Sequence, residues 1–280
     1  MAYIPVDIDK SIERECKRRR YSDKTIKTYL YCIHRFLKFT GKTLDKISKK
    51  DVRKFLFDLS EKNMAGNTLN VYHMALRFLF EDVLDKRIWI DIHYSKVPEK
   101  IQRSLTKQEL KRLFNAVNNH KHRLMAEFLY SAGLRASELV NIRVKDINLK
   151  EGYGFVRNGK GGKDRIIIIA DALKDKLSRL IEEGDLTRED YIFNSNRDRK
   201  YSISSLQKVI KKAAEDSDID DWKEIHPHTL RHSFATHLIE NNYSVSDVQA
   251  SLGHKSPETS MIYVHSSGKM IGIKSPFDFL

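Results

Sequence analysis

His228 and Arg231 stand one helical turn apart in HPHTLRHSFATHLIENNYSVSDVQASLGHKSPETSMIYVH, residues 226–265. His254 follows in Leu252-Gly253-His254, and Tyr263 comes nine residues later in Met261-Ile262-Tyr263-Val264-His265. Two donors for an anionic oxygen, a proton carrier and a phenol are the parts needed to attack a phosphodiester without a metal. His228 and His232 also have the i, i+4 spacing of a helical zinc pair. Arg231 lies inside that pair, no Glu separates the histidines, and a fixed cation repels Zn²⁺. No metal site is expected. Taken singly, His254 or Tyr263 reads as an ordinary packing residue, as does His237; the ordered set carries the chemistry.

Two further cations lie upstream. Arg135, in AGLRASELV, follows a Gly133 break at the head of a helical run. Its planar fork suits a phosphate, and the plain alternative is an ion pair with Glu138, which reads as a structural anchor. Lys160 sits in Asn158-Gly159-Lys160-Gly161-Gly162-Lys163, a hairpin turn between two short strands in residues 151–170. Residues 154–160 fit the opening of a phosphate-binding loop, but Gly161 stands where Ser or Thr would hold Mg²⁺. A β-branched strand follows instead of a helix. No nucleotide cofactor is expected. A lysine at a hairpin tip can be delivered into a neighbouring site, although solvated turn lysines are common.

The elements that must position these groups are mostly helical. Residues 8–20 form a basic-ended run, and Ser22 caps a second run in which Ile26, Tyr29, Leu30, Ile33, Phe36 and Leu37 recur until Gly41. Ser48 and Asn67 open two more amphipathic runs. Residues 91–104 lose the periodicity and read as a linker. Thr106 and Glu109 form a capping box for a helix through Val117, and a helix from about Lys121 to Ser131 follows. Beyond the 151–170 hairpin come helical runs at 171–183 and 202–216, with a short extended piece at Tyr191-Ile192-Phe193. The tail is apolar but interrupted by Gly268, Gly272 and Pro276, which suggests docking onto this chain or a partner subunit. The fold class is mainly α with a small β-sheet.

A chain of 280 residues suggests two domains. Its net charge of +13 makes a polyanion the leading partner. Residues 1–103 carry 23 Lys+Arg against 14 Asp+Glu, while residues 104–280 carry 28 against 24. The excess points to an N-terminal half that grips nucleic acid. Cys16 and Cys32 are too few for a disulfide framework and read as core residues. No apolar run approaches the roughly 20 residues of a membrane span, and the start lacks a signal-peptide core. A cytoplasmic location is expected.

Arg135 in GLRASEL, Lys160 in the GKGGK hairpin, His228 and Arg231 in HTLRH, His254 in LGH and Tyr263 in MIYVH, in this order, resemble the tyrosine site-specific recombinases of the phage integrase family. The Xer type, its archaeal branch included, is the most similar. The resemblance spans nearly the whole chain. It implies a helical, SAM-like core-binding domain over 1–91, a linker over 92–104 and an α+β catalytic domain over 105–265, with the tail over 266–280 a candidate for subunit docking. It further implies that Tyr263 attacks the scissile phosphate to give a 3′-phosphotyrosyl link and a free 5′-hydroxyl. His228 would be the base, Arg135, Arg231 and His254 the donors to the transition state, and Lys160 the acid for the leaving oxygen. The ester is conserved in the link, so neither ATP nor a cofactor is implied. The implied partner is double-stranded DNA at a specific site, bound by a tetramer on paired sites and a monomer or weak dimer in solution. The implied role is resolution of chromosome dimers, with integration of a mobile element or topoisomerase IB-like nicking and rejoining as alternatives. Ala136 stands where a bulkier apolar residue is common, and the tail is less helical than the family pattern.

Overall fold

The computed structural model describes residues 7–86, 93–97, 102–157, 164–195, 200–253 and 273–280. The chain divides into two compact units, Met1–Lys100 and Ile101–Leu280.

The first unit is helical: α1 (Ile8–Arg18), α2 (Asp23–Thr40), α3 (Lys49–Glu61) and α4 (Gly66–Arg77). Local chemistry sets the ends. Asp7 and Ser22 side chains accept the Lys10 and Thr25 N–H groups at the starts of α1 and α2. Gly41, at φ 60°, closes α2 by donating its N–H to the Leu37 carbonyl. The apolar stripes meet in a core that includes Ile12, Ile33, Phe36, Phe55 and Leu76, with Cys16 and Cys32 buried in it as free thiols. The fourth helix differs from expectation at both ends. It begins at Gly66 with Ala65 before it, instead of being capped by Asn67, whereas Asn70 binds Ser95 through both amide atoms. After Arg77 it widens into a π-helix over Phe78–Val83. Phe78, Leu79 and Phe80 are all buried. An α-helix spreads three consecutive side chains around most of its circumference, and the wider turn narrows that spread towards one core face.

The second unit begins with α5 (Lys107–Asn115), opened by the expected Thr106–Glu109 box, then α6 (His120–Ser131) and the single turn α7 (Ala136–Leu139). A three-stranded antiparallel sheet follows in the order β1 (Ile147–Asn148), β2 (Tyr153–Val156), β3 (Arg165–Ile168), with Gly154 opposite Ile167 and Val156 opposite Arg165. β1 is too short to leave a periodic signal, so only the β2–β3 hairpin was readable in advance; its turn, 158–163, lies outside the described residues. Then come α8 (Asp171–Glu183), α9 (Ile203–Asp216), α10 (Pro227–Glu240) and α11 (Val245–Leu252). Tyr191 makes one bridge to Arg143 and no strand. Leu113, Phe128, Leu139, Ile167, Leu173, Phe193, Leu230 and Phe234 belong to one continuous core. The last residues form a 3-10 turn, Pro276–Phe279, docked on their own chain. There the Ser275 hydroxyl donates to the Ser131 carbonyl at 2.6 Å, and the Phe277 ring lies against Phe114 and Tyr130. Among the described residues, no helix is long and apolar enough to cross a membrane.

Candidate active site

The site is built where α7, β3, α10 and the end of α11 converge. Gly133 makes the turn between α6 and α7 at φ +54°, and a Cβ there would stand 2.5 Å from the Phe234 ring. Only glycine fits both the left-handed backbone and the close approach. Arg135 then occupies the N-cap of α7. Its backbone N–H donates to Glu138 Oε2 at 2.8 Å and its Nη1 donates to Oε1 at 2.6 Å. The ion pair expected for an isolated Arg135 therefore exists, but on a buried carboxylate that other cations share.

α10 is pre-set by Pro227 in its first turn and by His226 Nδ1, which accepts the Thr229 N–H at 3.2 Å. Leu230, Phe234 and Leu238 of this helix belong to the core, while His228 and Arg231 line a cavity. Arg231 is anchored through Nη1 to the Gly133 carbonyl at 2.5 Å and through Nη2 to the Leu252 carbonyl at 2.7 Å. Those bonds use two of the five guanidinium N–H groups and leave the rest for a ligand. The cavity, of about 440 Å³, is lined by Gln102, His226, His228, Arg231, His232, Ala235 and Leu252.

A third guanidinium, not among the residues expected from the sequence, completes the cluster. Arg165 opens β3 and is buried; its Nη2 donates to Glu138 Oε2 at 2.7 Å, and its Nη1 to the Ser251 carbonyl at 2.7 Å. Its one mark in the sequence is an arginine heading the β-branched run Ile166-Ile167-Ile168-Ile169, which by itself does not separate it from a solvated strand end. Burial pushes the Glu138 carboxyl up, but Arg165 and Arg135 outweigh this and hold it below its ordinary range. Burial and the Arg165 and Arg135 charges lower the Arg231 guanidinium to about 9, still protonated at neutral pH. Burial, then His226, Arg231 and Arg135, lower the His228 imidazole below its ordinary value and favour its neutral, proton-accepting form. Two guanidiniums bond to one carboxylate and a third, that of Arg231, lies 3.6 Å from it, which leaves a positive excess beside the cavity. Such a place suits an oxyanion.

Of the six residues read from the sequence, Arg135, His228 and Arg231 are brought together. Lys160, His254 and Tyr263 lie outside the described residues. Glu138 is a structural anchor, bonded to Arg135 and Arg165, and His237 is buried with its Nδ1 2.7 Å from the Tyr130 hydroxyl.

Residues 103–270 match the phage integrase family, and residues 9–90 match the phage integrase N-terminal SAM-like domain. The chain belongs to the phage integrase family. Among its relatives, a tyrosine recombinase of Thermosipho africanus is 34% identical over 260 residues, 88% of this chain and 90% of the relative. The tyrosine recombinase XerA of Thermococcus kodakarensis is 33% identical over 248 residues, 86% of this chain and 84% of the relative. A crystal structure of a XerA recombinase superposes with a TM-score of 0.51 at 29% identity, covering 92% of this chain and 93% of that one. This phage integrase family member is thus a tyrosine recombinase of the Xer type, an enzyme that cuts and rejoins DNA strands, and Lys160, His254 and Tyr263 all fall within its family match.

Proposed function

We propose that the protein is a site-specific recombinase whose nucleophile is Tyr263. The observation that carries this reading is the placing of Arg135, bonded to the buried Glu138, and Arg231, 3.6 Å from that carboxylate, side by side, with Arg231 and His228 lining one cavity. The Tyr263 phenol, with a reference pKa near 10, must lose its proton to attack, and neutral His228 is the acceptor. The phenolate oxygen bonds to the scissile phosphorus as the bond to the 5′-oxygen breaks, leaving a 3′-phosphotyrosyl ester and a 5′-hydroxyl. Lys160 protonates the departing 5′-oxygen. Negative charge gathered on the non-bridging oxygens is met by the free N–H groups of Arg135 and Arg231, with His254 as a further donor; removing one such donor costs roughly 3–4 kcal/mol of barrier. Rejoining runs the same steps backwards with a different 5′-hydroxyl. Exchange between two duplexes needs four such sites, so the working form on DNA is a tetramer.

Residues 1–91 form the core-binding domain in this reading, residues 92–104 the linker, and residues 105–265 the catalytic domain. The substrate is double-stranded DNA with a specific site, and the biological role is chromosome-dimer resolution in the cytoplasm, in keeping with the Xer-type relatives. The test is covalent trapping. Wild-type protein on a nicked suicide duplex carrying its site forms a denaturation-resistant adduct, and Tyr263→Phe forms none. An adduct with the Phe variant would assign the nucleophile elsewhere.

A further inference from the structure

Arg165 is not among the groups that would touch the phosphate, yet it ties the cluster together. Its side chain is 5% exposed and reaches from the first residue of β3 under both α7 and α11. Nη2 donates to Glu138 Oε2 at 2.7 Å and to the Gly133 carbonyl at 3.3 Å, and Nη1 donates to the Ser251 carbonyl at 2.7 Å. Glu138 Oε2 thus accepts from both Arg165 and the Arg135 backbone N–H, filling its two acceptor positions. Arg231 Nη1 stays 3.6 Å from that same oxygen, too far for a hydrogen bond. The fit at α11 is equally close: a Cβ on Gly253, at φ +72°, would stand 2.4 Å from Arg165 Cδ.

Burying this cation is costly. Its Nε–H has no acceptor among the described residues, and its terminal nitrogens are bonded to Glu138 and to the Gly133 and Ser251 carbonyls, so what the guanidinium adds over an apolar side chain of similar volume is those bonds. Packing alone therefore gives no reason for a guanidinium. Resting on the function proposed above, we infer that Arg165 is a positioning residue for strand cleavage: by occupying Glu138 it keeps Arg231 off that carboxylate, and so keeps the free N–H groups of Arg231 turned to the phosphate. Without Arg165, Arg231 is the nearest cation not already bonded to Glu138. Closing the 3.6 Å gap to about 2.8 Å would draw it off the Gly133 and Leu252 carbonyls. A displacement of that size is enough to cost roughly 10²-fold in rate.

The experiment compares full-length wild type, Arg165→Met and Arg165→Lys in single-turnover cleavage of the duplex that wild type cuts. Each is assayed with the natural scissile phosphate and with a neutral methylphosphonate at the same position. The neutral linkage removes the charge that the guanidiniums meet, so a fault in their placement matters less for it. Arg165→Met is expected to bind DNA as tightly as wild type and to lose roughly 10²-fold on phosphate, with a several-fold smaller loss on methylphosphonate. Arg165→Lys, which keeps the charge but cannot reach all three acceptors, should fall between. Equal losses on the two linkages, or full activity of Arg165→Met, overturns the inference. If the Met variant does not fold, the Lys variant decides by the same ratio. Absence of any adduct with wild type would instead refute the function on which the inference rests.

Discussion

In the proposed mechanism His228 works as a base only while neutral. Its imidazole is held below the ordinary 6.5 by burial first and by His226, Arg231 and Arg135 next. Taking up a proton removes the acceptor, so single-turnover cleavage should be flat from neutral pH down to about 6.5 and fall below that, with DNA binding unchanged. A cleavage rate that rises on acidification would exclude His228 from this role. His237 predicts a separate effect, on stability. Burial lowers its folded pKa below the 6.5 of an unfolded histidine. Between those two values the unfolded chain binds the proton more readily. The contribution of His237 is therefore complete above pH 6.5 and is lost as pH falls towards its folded value. Urea unfolding of the chain should shift to lower midpoints over that range, and His237→Gln, which cannot titrate, should flatten the shift. At this scale the spacing of His228 and Arg231 was enough to pair them. Arg165 was not readable, because a single arginine at the start of a strand looks like any solvated strand end.

Elements bring these residues together by contacts that no local pattern encodes. α8 shows this most simply. Its own N-cap, Ala170, offers no side-chain acceptor, and the free N–H groups of Asp171 and Ala172 are met by the Asp278 carboxylate at 3.3 and 3.1 Å, about a hundred residues further on. Asp278→Ala should lower stability by about 1 kcal/mol, read as a shift in thermal or urea midpoint, and leave cleavage chemistry unchanged. No change in midpoint would mean that the tail contributes nothing to the end of α8. Local chemistry could say that the tail is too apolar to stay in water, and so must dock. Its site on α5, α6 and α8 depends on Ser131, Phe114 and Tyr130, which are far away in sequence. The π-turn after α4 is similar, since the core and not the helix-forming tendency of Phe78–Val83 decides the winding there.

For the whole molecule the governing quantity is charge. The net +13 is concentrated in residues 1–103, which hold 23 basic against 14 acidic residues. Binding to DNA by such a chain releases counterions, so log affinity should fall linearly with log salt, with a slope of about −0.9 per phosphate neutralised. Measuring affinity for one duplex over a range of salt gives that slope, and a flat line would remove the electrostatic argument for gripping DNA. Substituting basic residues of 1–103 should reduce the slope more than substituting as many in 104–280.

The sequence by itself determined the helical class, most helix starts and the β2–β3 hairpin, and it gave the order of the candidate residues Arg135, Lys160, His228, Arg231, His254 and Tyr263. Caps, periodicity and short motifs act over a few residues, and each can be read where it stands. Only the tertiary structure decided that Arg135 and Arg165 bind Glu138 with Arg231 beside them, and that Gly133 and Gly253 are small because Phe234 and Arg165 press on them. Those relations join residues up to about a hundred positions apart, and a buried carboxylate can choose its cations only once the elements carrying them have packed.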